Sequence, residues 1–142
     1  LEKYLLILPL ALRIPYTRFR CRNNRLQIEI GSYENIDREL RLCNKCDLQT
    51  LGDEFHALIT CPSFSQLRNR YLGLSNPIHP IPIFKLYALF NRYDNEQLFN
   101  LAKFIREIML LLQGSMAFPG VDRIVCLLFL YLVPYALMCF EQ

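Results

Sequence analysis

The sequence predicts a mainly α-helical protein in which a short strand or extended arm leads into a small module organised by cysteine and histidine side chains, with two or three helices after it. Three observations carry this. Cys43, Cys46, His56 and Cys61 cluster in one short stretch. Apolar residues from Leu98 to Leu112 recur at three- and four-residue spacings, the period of a helix with one buried face. Finally, 53% of the 142 residues are hydrophobic and 13% aromatic, ample for a core at the size of one domain.

Residues 1–31 form an apolar segment and a basic arm. Pro9 and Pro15 are expected to split any helix there into short pieces, because proline removes a donor and crowds the preceding turn. Leu26, Ile28 and Ile30 alternate with polar residues from Arg25 to Gly31, which reads as a short half-buried strand.

Residues 32–72 carry the cysteine and histidine cluster. Thr50-x-x-Asp53 and Ser63-x-x-Gln66 are helix-start signals. They place His56 on a short helix and Cys61 in the joint before a second helix of about ten residues. Residues 73–114 begin with a proline-marked rigid loop, Gly73 to Pro82. Pro82 then opens a helix to about Asn91. Asp94-x-x-Gln97 opens a longer one that Gly114 can end. In it Leu98, Leu101, Ala102, Ile105, Ile108, Met109 and Leu112 share a face opposite Lys103, Arg106 and Glu107. Residues 115–142 form an apolar tail. Its 17 uncharged residues from Ile124 to Phe140, with Pro134 among them, fall short of the roughly 20 needed to span a bilayer. The expected roles are a segment outside the evolved domain, a buried helix, or a membrane anchor as the alternative.

The cluster reads Cys43-x2-Cys46, nine residues, His56, four residues, Cys61. Two cysteines separated by two residues form a tight knuckle, and a histidine and cysteine from a helix and its exit complete a tetrahedral set. A closed shell of three thiolates and one imidazole leaves no position for a reacting water, so the expected cofactor is a structural Zn2+, making this a CCHC zinc-stabilised module. The flanking loops are too short and polar to build a core alone, and a zinc ion contributes on the order of ten kcal/mol to such folds. Cys21 is a further sulfur, more distant in sequence, and His79 is expected to be an ordinary loop residue.

From Lys3 to Gln27 there are six basic residues and no acid, although the net charge is only +3. Arg13, Arg18, Arg20, Arg22 and Arg25, interleaved with Tyr16 and Phe19, offer phosphate contacts and stacking surfaces, and RNA or DNA is the expected partner. The alternative is that these arginines pair with Glu29, Glu34, Asp37 and Glu39 nearby. The scattered Cys21, Cys126 and Cys139 do not suggest a disulfide framework, so a reducing compartment, nucleus or cytoplasm, is expected. Tyr4 to Leu12 is a poor signal peptide, and a chain opening on Leu1 reads as a fragment of a longer frame.

The stretch Phe19 to Leu26 with Ile28-Glu29-Ile30-Gly31, followed by Cys43-x2-Cys46, Gly52-Asp53-Glu54-Phe55-His56 and Cys61-Pro62, resembles the zinc-binding region C-terminal to the reverse transcriptase in non-LTR retrotransposon polyproteins. The likeness spans roughly residues 12–112. It implies a zinc module that helps a polymerase engage its template or target. Retroviral nucleocapsid knuckles place four residues between the second cysteine and the histidine where this chain has nine, so their compact fold is not implied. No adjacent aspartate pair of the polymerase palm is present, and no nucleophile and base are suitably spaced. The chain is therefore expected to be non-catalytic by itself. The competing expectations are a protein-interaction zinc module, whose partner is another part of the polyprotein and whose contact surface is the apolar faces of residues 82–112, Ile105 and Ile108 among them, and a small membrane-anchored protein through 124–140.

Overall fold

A computed structural model describes residues 2–73, 82–91 and 94–113. The rigid loop and apolar tail expected from the sequence fall mostly or wholly outside these residues. The described chain is mainly helical, as the apolar spacing and helix-start signals predict. Helices α1 (Lys3–Ile7), α2 (Leu10–Arg20), α3 (Gln27–Tyr33), α4 (Ser65–Leu72), α5 (Pro82–Phe90) and α6 (Asn95–Gln113) follow in order.

The core is organised by α6, which packs against both α2 and α4. All seven residues of its predicted apolar face are buried, together with Phe104. Lys103 and Arg106 point outward, and the Asp94 carboxylate caps the helix by accepting from the Gln97 N–H at 3.0 Å. Ile105 and Ile108 are 0% exposed, so they hold the core together and cannot form the partner-binding face expected for them.

Pro9 does end α1, but Pro15 lies inside α2, contrary to expectation. The reason is energetic. An interior proline costs about 3 kcal/mol. Leu12, Tyr16 and Phe19 are all buried along one side of α2. Each contributes roughly 1.5–3 kcal/mol by leaving water, which outweighs the break. Helix α2 ends where Arg22 turns left-handed at φ 55, letting Asn23 N–H reach back to the Arg18 carbonyl at 2.8 Å.

The predicted strand or extended arm is also overturned, since Gln27–Tyr33 is helical. A strand needs a partner ladder. The one antiparallel bridge among the described residues joins Leu42 and Leu51, and its flanking bonds, Cys43 N–H to Thr50 O at 2.8 Å and Gly52 N–H to Arg41 O at 2.9 Å, close that hairpin on itself. The 25–31 segment instead curls, with Asn24 Oδ1 accepting from Leu26 N–H at 3.0 Å just before the helix. The Ile28 N–H, one of the helix's free donors, reaches the Gly52 carbonyl at 3.1 Å. Thus α3 docks on the cysteine hairpin. No helix among the described residues is long and apolar enough to cross a membrane.

Candidate metal centre

Cys43 and Cys46 come from the turn of the hairpin. Lys45 N–H points at the Cys43 sulfur, 3.4 Å away, a bond that favours the thiolate in such knuckles. The hairpin leads to Asp53, whose carboxylate accepts from His56 N–H at 2.8 Å and starts a helical turn. Asp53 therefore acts as the cap, and Thr50, the other half of the predicted start signal, does different work.

The turn from His56 to Thr60 is a π-helix, closed by Cys61 N–H to His56 O at 2.7 Å. This geometry answers the spacing of four residues between His56 and Cys61. On an α-helix, residues five apart point about 140° away from each other. Widening the turn so that residue i+5 closes the ring brings them back to one side. Cys61 then leaves in extended conformation, and the turn Pro62–Phe64 leads into α4. The Ser63 hydroxyl donates to the Lys45 carbonyl, tying α4's approach to the knuckle, so Ser63 does not cap the helix.

The four predicted ligands meet. Their donor atoms all lie within 4.8 Å of one another, with Cys46 Sγ and His56 Nε2 at 3.2 Å, and no disulfide joins them. A tetrahedral ion with bonds of about 2.0–2.3 Å requires donors roughly 3.5–3.8 Å apart, so the cluster closes on a metal with adjustments of about 1 Å. His56 and Cys61 are buried, while Cys43 and Cys46 are half-buried.

The imidazole is oriented from behind. Nδ1 lies 3.0 Å from both Thr50 Oγ1 and Thr60 Oγ1. A proton on Nδ1 can be donated to these hydroxyls, which leaves Nε2 with its lone pair toward the sulfurs. Burial lowers the His56 pKa below its ordinary value, which favours the neutral, ligating ring. Burial also pushes the Cys43 thiol from 9.0 up to about 11, so a metal must displace its proton at neutral pH.

Arg68 completes the frame and was not singled out by sequence. It is buried, donating from Nε to Leu58 O at 2.7 Å and from Nη2 to Cys61 O at 2.9 Å. Its only sequence signal is a charged residue on the inner side of a short helix. Lys45 Nζ, 3.3 Å from the Leu111 carbonyl, brings the knuckle against the C-terminal end of α6, where the helix dipole favours a cation.

The predicted nucleic-acid residues are not one extended arm. Tyr16 and Phe19 are each 1% exposed and belong to the core, so neither offers a stacking face. Arg13 donates from Nε and Nη2 to the Leu8 carbonyl at 3.1 and 2.8 Å, closing the α1–α2 corner. Arg18 and Arg25 are half-buried, whereas Arg20 and Arg22 are exposed. Comparison with protein-family models, with curated proteins and with solved structures gives no match for this chain.

Proposed function

We propose that the chain is a structural zinc module of a retrotransposon reverse transcriptase polyprotein, associated with nucleic acid and non-catalytic by itself. The single observation behind it is the convergence of Cys43, Cys46, His56 and Cys61 around a preoriented imidazole. Three soft thiolates with one nitrogen favour zinc over magnesium or calcium, and four protein donors leave no open position. The retroelement assignment is supported by the order of motifs in the sequence. The nucleic-acid association is supported by the exposed Arg20 and Arg22.

Elemental analysis of the purified chain should find one zinc per molecule. Chelation should lower its helical ellipticity, and Co2+ should restore it with the visible absorption of tetrahedral thiolate ligation. A chain that keeps its fold and melting temperature without metal would overturn the scaffold. Binding of single-stranded RNA or DNA should weaken steeply with salt, and a salt-independent interaction would remove the phosphate reading.

A second reading has its own observation. Helix α5 exposes Ile83, Phe84 and Tyr87 at 65%, 49% and 67%. Such a face suits a polyprotein partner, and it is the part of the expected 82–112 surface that stays open once Ile105 and Ile108 are buried. Capture of the adjoining polyprotein segment that is lost in Ile83→Asp and Tyr87→Asp, with zinc content unchanged, would establish it.

A further inference from the structure

A cavity of about 120 Å3 lies on the side of α2 that faces α1, the end of α5 and the first turn of α6. Glu2, Lys3, Tyr4, Tyr16, Arg20 and Phe90 are among the residues lining it. Its wall is aromatic. The Tyr4 and Tyr16 rings pack with centroids 4.9 Å apart, and Tyr16 meets the edge of Phe90 at 6.0 Å. Over this wall lies the Arg20 guanidinium, 5.0 Å from the Tyr4 centroid and 6.0 Å from that of Phe90. Cation–π contacts at these distances hold the planar group in one orientation.

One donor of that group, Nη1, already holds an anion: the Glu2 carboxylate, at 3.0 Å. The two side chains are 32% and 48% exposed, and an ion pair so open to water is weak and exchangeable. A guanidinium carries five N–H donors in a fork that matches phosphate. Lys3 adds a second cation to the lining. Glu2 precedes α1 in extended conformation, so its side chain can swing away by rotation without unwinding a helix.

We propose that this cavity is a phosphate subsite in which a phosphate group replaces the Glu2 carboxylate on Arg20, with Glu2 acting as a tethered internal competitor. For a nucleic-acid strand as the source of the phosphate, the site rests on the nucleic-acid reading above. For a free phosphate it does not. The site accounts for the charge balance of this corner: an arginine set on an aromatic wall, with an acid that shields it when no phosphate is present.

The test uses the full zinc-loaded chain. Inorganic phosphate and a single-stranded thymidine oligonucleotide are each titrated while the Arg20 Nε–H signal is followed by NMR, and oligonucleotide affinity is measured across a salt series. Glu2→Gln should strengthen oligonucleotide binding several-fold more than Glu34→Gln, which removes the same charge at an exposed position that does not line the cavity. Arg20→Gln should weaken it about threefold to tenfold and reduce the salt slope by about 1. Arg106→Gln, on the exposed side of α6, should leave the Arg20 signal's response intact. A shift of the Arg20 signal with phosphate but no oligonucleotide binding supports the subsite and overturns the nucleic-acid reading. Oligonucleotide binding that leaves the Arg20 signal unmoved, with Glu2→Gln equal to Glu34→Gln, overturns the subsite and leaves that reading standing. No shift with either probe also overturns the subsite.

Discussion

Replacing Arg68 by Met should destabilise the zinc-loaded chain by about 2–4 kcal/mol, and the magnitude follows from two carbonyls. The helical turn ends at Thr60, so the Leu58 carbonyl lies at a helix end, where carbonyls lack intrahelical partners, while the Cys61 carbonyl, just beyond it, also takes the Phe64 N–H at 3.3 Å. Arg68 donates to both, at 2.7 and 2.9 Å. A bond from a charged donor is worth roughly 1.5–3 kcal/mol, so two give about 3–5 kcal/mol. Part of this is regained because burial already disfavours the charged form and lowers the Arg68 pKa, a penalty the neutral Met does not carry. Met retains the apolar stem, so the comparison isolates the guanidinium. Arg68→Lys, which keeps a charge but lacks the planar fork, should fall between the two. Urea unfolding at saturating zinc measures the difference. A Met variant within about 1 kcal/mol of the parent would refute the claim that Arg68 holds the end of the π turn.

Three other outcomes are expected. Changing Thr50 and Thr60 together to Val removes both partners of His56 Nδ1 and should weaken zinc binding about tenfold to a hundredfold, read by competition with a chromophoric chelator. In Gly52→Ala the new methyl would sit 2.8 Å from Gln27 Cβ and 3.1 Å from Cys43 Cα. Such overpacking costs roughly 1–3 kcal/mol, so a lower melting temperature is expected, and an unchanged one would show that α3 and the hairpin separate easily. For the zinc-free chain, the raised Cys43 pKa contributes stability below 9.0 that is lost as pH climbs toward about 11. Its lowered His56 pKa removes stability as pH falls below the ordinary histidine range, near 6.5. Zinc affinity should rise with pH until the thiols are deprotonated, so its slope above 9.0 is opposite to that of apo stability.

The identity of the metal ligands and the buried face of α6 were legible in the sequence, because each depends on local spacing. Sulfur and imidazole have few alternatives as soft donors, and a helical period over α6's 19 residues is hard to mimic by chance. Asp94 was also readable, since a cap acts within three residues, whereas the Thr50-x-x-Asp53 signal found the turn but had Thr50, not Asp53, in the cap position. What tertiary structure decided were the outcomes in which local preference was weak or opposed. Six residues of alternation from Arg25 to Ile30 suit a strand, but the hairpin offered no edge, so the segment became α3. Pro15 should break a helix, but the burial of Leu12, Tyr16 and Phe19 outweighed it and took two aromatics out of any contact surface. The roles of Thr50, Thr60 and Arg68 depend on a π turn set by where Cys61 must return. Sequence spacing therefore named the four donors, and packing around α6 determined how the chain reaches them, because a ligand's chemistry belongs to its residue while its direction belongs to the fold.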